Sequence, residues 1–339
     1  IAKDVASSLR TKLSKSNEAK LAKNYTENPE AYKLYLQGVF AWNNLNGPKS
    51  IECFQQAIAI DPNYALAYAG LGSSYVLRVV NTGGPSTTDP SEALHEASEY
   101  AAKALELDED LPEAHALMGL LFWVRDYDFA GFARELNRAI ELNPRFAEGH
   151  RLNGLRLFYL GQFAAARSEL QKALDIDPLS NLTNFNYASA LIYDGKFDEA
   201  EARIRKSLEI DPGFILFHGQ LSLLYRLKKD YAAAVEERAK MSEKQNRPDI
   251  ARLLRESFAK GGWQGYLRAF VGHLEQNNGN RYFLATAYVE LGEKDKAFAA
   301  LEEVYNAHSN FVGYFKIDPE LNPLRGDPRF TALLKKSGF

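Results

Sequence analysis

The sequence predicts an all-α solenoid of stacked antiparallel helix pairs with capping helices at its ends. Three observations predict it. A phrase ending in Asp-Pro or Asn-Pro recurs as AIAIDPNYALAY (57–68), AIELNPRFAEGH (139–150), ALDIDPLSNLTN (173–184) and SLEIDPGFILFH (207–218). ALELDEDLPEAH (104–115) matches it except that Glu109 stands where the proline should be. A column of small residues reads Gly38, Gly72, Gly119, Gly154, Ala188, Ser222, in steps of 34, 47, 35, 34 and 34. A second column, Ser50, Ala97, Phe132, Ala166, Ala200, Ala234, keeps the same beat. A fixed period of this size means a repeat architecture.

Each column has a physical reason. Two antiparallel helices approach closely only where one of them presents Gly, Ala or Ser, and large neighbours such as Phe54, Leu71, Tyr75, Leu170 and Tyr187 fill the space left between. Proline after a second helix lacks the N–H that a continuing helix needs and restricts the residue before it. Asp61-Pro62, Asn143-Pro144, Asp177-Pro178 and Asp211-Pro212 therefore end one repeat, and Asn63, Ser180 and Asn181 are placed to cap the next helix.

Residues 1–28 read as an N-terminal helix, either a cap or the tail of an upstream domain. Ile1, Val5, Leu9, Leu13 and Leu21 lie at roughly helical spacing. Residues 29–246 hold six repeats, and the step of 47 marks an insertion near 79–91 with the loop composition NTGGPSTTDP. Residues 247–278 are a degenerate helical pair around Gly261-Gly262. A further repeat follows at 279–310, with Ala285, Tyr288, Gly292, Ala297 and Leu301 in the expected columns. The proline-punctuated residues 311–339 read as a cap on the last hydrophobic face.

The 34-residue period with these small columns resembles the tetratricopeptide repeat over about residues 29–308. The resemblance implies a right-handed superhelix whose first helices line a concave groove. The phrases IAKDVASSLRTKLS, NPEAYKLYLQG, DPNYALAYAGLGSSY and DPELNPLRGDPRFTALLKKSGF are similar to the C-terminal region of multidomain bacterial regulatory proteins. In those, such repeats follow a winged-helix, cyclase or kinase domain, often with a TolB-like segment. The chain begins at Ile1 without a signal-peptide pattern, which reads as a piece of something longer. A cytoplasmic location is expected, or a periplasmic one behind an upstream membrane segment.

Composition narrows the function. Forty-one basic and 44 acidic residues, net charge −3, argue against a nucleic-acid partner for this segment. No apolar run is long enough to insert into a membrane. Cys53 is alone, so no internal disulfide forms. GxxxxGK[ST], HExxH and CxxC patterns are missing from the sequence, so no cofactor, metal or catalytic residue is assigned. His115, His150 and His218 look like a metal cluster, but they share one repeat column. Neighbouring repeats sit roughly 10 Å apart, too far for ligation of one ion.

A protein or peptide partner is expected, with homo-oligomerisation as a further possibility. On the implied groove, Trp123, Arg151, Leu155, Tyr159, Phe185, Asn186, Ser189, Tyr193, Gln220 and Arg226 form the candidate site. Aromatic rings and arginine carry most interface energy, and amides pair with an extended backbone. Relatives that hold a chaperone tail use a two-carboxylate clamp. Here Arg151 and Asn186 match it but the remaining lysines do not, which speaks against that ligand. Two alternatives stand beside this reading. One is a ligand-sensing segment with a pocket among Trp263, Tyr266 and Phe270; the other is a spacer or self-association unit.

Overall fold

The computed structural model describes residues 26–80 and 89–339. The expected N-terminal helix and most of the insertion lie outside those residues. Among the described residues every regular element is helical. Helices pair as α1 (Pro29–Asn43) with α2 (Gly47–Ile60), α3 (Ala65–Val80) with α4 (Pro90–Leu107), and α5 (Pro112–Val124) with α6 (Phe129–Leu142). The array continues with α7 (Ala147–Tyr159) and α8 (Phe163–Ile176), α9 (Asn181–Tyr193) and α10 (Phe197–Ile210), α11 (Leu216–Leu227) and α12 (Tyr231–Lys244). Next comes α13 (Pro248–Gln276), broken at Gly262, where φ 57° and ψ −153° suit only glycine. The array ends with α14 (Arg281–Leu291), α15 (Lys294–Asn306), two 3₁₀ turns (Asn310–Tyr314 and Pro319–Leu324) and α16 (Pro328–Lys336).

The two columns meet each other. A Cβ added at Gly154 would lie 2.6 Å from Leu170 Cγ and 3.1 Å from the Ala166 carbonyl oxygen. At Gly72 the Ala97 carbonyl would be 3.1 Å away, and at Gly119 that of Phe132 would be 3.4 Å away. Ser222 uses the same closeness by donating its hydroxyl to the Ala234 carbonyl at 2.9 Å. In these four repeats the small residue of the first helix thus rests on the backbone of its second helix. Phe54 is gripped the same way between two glycines, since a Cβ at Gly38 or at Gly70 would lie 2.6 Å from its ring.

The Asp-Pro junctions do more than stop a helix. The Asp61, Asn143, Asp177 and Asp211 side chains accept the N–H two residues on, at 3.1, 3.0, 3.3 and 2.9 Å. Each is an Asx turn that satisfies a backbone donor at the bend. Of the expected capping residues only Ser180 acts as one, accepting from Thr183 N. Between first and second helices one residue takes positive φ: Gly161, Gly195 and Gly292, but also Leu45, Tyr127 and Lys229. The last three hold it without glycine.

The three histidines form a repeated clasp. His115, His150 and His218 each bind, through Nδ1, a glutamate of their own repeat's second helix: Glu135 at 2.9 Å, Glu169 at 2.8 Å and Glu237 at 2.7 Å. In two of them Nε2 also reaches the carbonyl of Glu109 or Pro144 in the preceding turn, at 3.1 Å. Burial pushes the Glu169 carboxyl up, but hydrogen bonds from His150 and Lys172 outweigh it and hold the value below the ordinary 4.5.

Two outcomes follow from this packing. Gly154→Val forces branched carbons onto a backbone carbonyl and should cost about 3 kcal/mol in urea unfolding. Gly195→Ala, at φ 75° with open space around it, should cost only about 1 kcal/mol. Glu169 is held charged below its unfolded value, so its contribution is present above pH 4.5 and lost as pH falls further. Unfolding curves between pH 6 and 3 should therefore steepen their loss below 4.5 in the native chain and less so in Glu169→Gln.

Candidate partner-binding surface

The residues after α15 do not simply cap the last pair. Helix α16 does lie on it, through Arg329–Asp295 at 2.8 Å and Lys336–Glu302 at 2.9 Å. The two 3₁₀ turns instead run as a strap along the first helices α5, α7, α9 and α11. At one end Tyr127 stacks on Tyr305 and His308 and donates to the Tyr305 carbonyl at 2.8 Å. His308 Nδ1 donates to the Val124 carbonyl at 2.9 Å, and Phe129 meets Phe339. Tyr314 then fills a nest of rings, 5.6 Å from Phe158 and Tyr159, 5.7 Å from Tyr193 and 5.9 Å from Tyr282.

Polar contacts continue the strap. Asp318 receives the Tyr282 hydroxyl and, at 3.4 Å, that of Tyr193. Its other oxygen accepts Glu320 N at 2.8 Å and starts the second turn. Arg226 pairs with Glu320 at 2.6 Å. Burial pushes both carboxyls up, Glu320 to about 8, against the opposing pull of Arg226. Val312, Phe315, Leu321 and Leu324 are fully buried beneath. At 1.5–3 kcal/mol each, lifting them out would cost roughly 6–12 kcal/mol. That rivals the whole stability of a typical domain, so the strap is a fixed part of the fold and not a lid.

The sequence-derived site residues divide accordingly. Tyr159, Ser189, Tyr193 and Arg226 face the chain's own strap instead of an open groove. Trp123 lies behind Tyr159, its ring 4.7 Å away. Gln220 spends its amide N–H groups on the Phe185 carbonyl at 2.7 Å and Ser189 Oγ at 2.8 Å. Arg151 is buried against Glu148 of its own helix. Asn186 is buried with Nδ2 unpaired. Leu155 and Phe185 are half-buried against the core. Tyr282, Tyr314, Asp318 and Glu320 complete this surface; Tyr282 sits in the same repeat column as Arg151 and Phe185, but no periodic signal points to the other three. At the α13 break, Tyr231, Trp263, Tyr266 and Phe270 stack in succession at 4.5, 4.7 and 5.6 Å, so the rings fill one another's space.

The fold is the all-α tetratricopeptide fold. The family described as TPR repeat matches residues 48–77, and that described as tetratricopeptide repeat matches 183–214 and 280–308. Among solved structures the chain is similar to human IFIT1, with a TM-score of 0.52 and 16% identity over 78% of this chain and 68% of that one. The type IV pilus biogenesis factor PilW gives a TM-score of 0.49 and 19% identity over 63% and 93%. A putative adenylate cyclase 3 of Rhizobium meliloti is 28% identical over 137 residues, 39% of this chain but only 23% of that protein. No helix among the described residues is long and apolar enough to cross a membrane.

Arg226→Ala leaves Glu320 without its partner in the core and should cost roughly 3–5 kcal/mol above about pH 8, where the native carboxyl is charged, whereas Arg226→Met with Glu320→Leu should cost much less. Native Glu320 keeps its proton up to about pH 8, while the unfolded carboxyl loses it near 4.5, so its burial weakens the fold as pH rises between them. Without Arg226 that range extends upward. The penalty of Arg226→Ala should therefore be nearly flat from pH 6 to 8 and grow as pH rises further, read in denaturant titrations.

Proposed function

We propose that the chain is a protein-interaction scaffold that holds an extended polypeptide along its first helices. The observation that supports this is the strap: this surface already binds a peptide segment, through a nest of rings, tyrosine hydroxyls and one arginine. The strap takes the middle of the surface for the fold itself. Leu155 on α7 and Phe185 on α9 are half-buried, and with the buried Arg151, Asn186 and Gln220 of α7, α9 and α11 they are the proposed contact for a partner. The partial likeness to a putative adenylate cyclase supports a place within a larger regulatory protein.

Panning a random peptide library on the chain tests the reading. Selected peptides should bind at least tenfold more weakly to Leu155→Ala/Phe185→Ala, with the unfolding transition of that variant measured alongside because both side chains also touch the core. Peptides that bind both proteins equally, or a library that yields none, would place the function elsewhere.

A further inference from the structure

The second helices carry an apolar column one turn after Ser50, Ala97, Phe132, Ala166 and Ala200. It reads Phe54, Ala101, Leu136, Leu170 and Ile204, and resumes at Leu301 one turn after Ala297, every member at most 1% exposed. In α12 the same place, one turn after Ala234, holds Arg238. A charge in a core column breaks the rule that the rest of the array keeps, and such breaks belong to functional sites. The guanidinium carbon of Arg238 lies 4.9 Å over the Phe270 ring of α13 and 4.8 Å over the Phe283 ring of α14. Its Nη1 donates to the Met241 sulfur at 3.7 Å, and its Nε and Nη2 have no hydrogen-bond partner among the described residues. Other inward arginines are answered by oxygen: Arg151 by Glu148, Arg226 by Glu320 and Arg203 by the Asn184 amide. Burial holds the Arg238 pKa below its ordinary value, with Tyr266 opposing and the charge of Arg226 adding to the depression. The side chain is half-buried and so stays within reach of a ligand.

We propose that Arg238 receives a carboxylate of a partner polypeptide on its Nε–Nη2 edge. Three points select that ligand. The Nε and Nη2 donors lie in one plane and match the two oxygens of a carboxylate as a fork. Phe270 and Phe283 hold the guanidinium by cation–π attraction and shelter it from water, where a charge-assisted hydrogen bond is stronger. The charge suits a monoanion. His273 also feels Arg238, but burial first, then Arg247 and Arg238, hold its pKa below the ordinary 6.5 against the pull of Asp249, so the ring is neutral at pH 7. A bound carboxylate would supply the anion that every inner contact of Arg238 lacks, which a buried charge needs. Arg238 stands on a second helix, apart from the first-helix contact of Leu155 and Phe185. That the carboxylate belongs to a polypeptide rests on the scaffold reading above; that the site takes a carboxylate does not.

The test follows the Nε–Hε resonance of Arg238 in the full chain by NMR, assigned by its loss in Arg238→Met and by its contacts with the two rings. Three probes are titrated. N-acetylphenylalanine offers a terminal carboxylate, N-acetylglutamic acid α-amide offers a side-chain one, and N-acetylphenylalaninamide is neutral. The resonance should shift saturably with at least one carboxylate and stay in place with the neutral amide. Which carboxylate acts distinguishes a chain end from an acidic side chain. Binding to Arg238→Met, read on the probe's own resonances, should be at least tenfold weaker. A resonance that ignores both carboxylates, or that moves equally with the neutral amide, overturns the proposal, as does Arg238→Met binding the probe as tightly as the native chain. Should that variant fail to fold, the native resonance, assigned through its ring contacts, decides alone. None of the probes needs the first-helix contact, so a failed peptide library and a failed carboxylate site are separate results.

Discussion

The structure depends on one contact made over and over: a small residue of a first helix resting on the backbone of its second helix. At Gly72 and Gly154 the carbonyl oxygen of the second helix lies 3.1 Å from where a Cβ would stand, and at Gly38 the Phe54 ring crowds that place. Where it is serine, the hydroxyl turns the same closeness into a hydrogen bond. The approach sets the distance between the paired helices, and that distance sets which neighbours must be large. Phe54, wedged between Gly38 and Gly70, shows both halves of the rule in one place. Once the pair is fixed, the Asx turns and the histidine–glutamate clasps have constant geometry to work with, and so they recur at the same columns.

Repetition leaves a surface that belongs to no single repeat. The first helices of successive pairs align their inner columns, and an aligned strip of Trp123, Tyr159 and Tyr193 is too apolar to stay bare. The chain covers it with its own strap. The strap crosses from Val124 to Arg226 and ties together residues more than 180 positions apart, as between Val124 and His308. Its buried carboxylates are each answered by tyrosine hydroxyls or an arginine. Such a cluster tolerates only one register, because a shift would leave a charge unpaired in the core. The price of closure is that much of the surface that resembles a ligand groove is spent on the fold.

Much of this was legible in the residues. The helix pairs, their order and the structural role of the three histidines follow from the period, because a helix pair contacts mainly its neighbours and each column reports a local contact. The reading of Tyr159, Tyr193 and Arg226 as ligand contacts followed the same columns and met a feature that has no column. Asp318, Glu320 and Tyr314 occur once each, in a segment without period, and nothing local distinguishes them from an ordinary loop.

What the sequence determined by itself is thus the architecture: the helices, their pairing, and which side of each faces a neighbour. Those are consequences of steric fit between residues close in the chain, repeated often enough to be read as a pattern. What only the tertiary structure decided is how the array is closed and which of its inner residues remain available. That outcome rests on contacts between remote, non-repeated residues. Their joint burial of Phe315, Leu321 and Leu324 outweighs the loop-closure entropy, and no local preference in the sequence encodes such a sum.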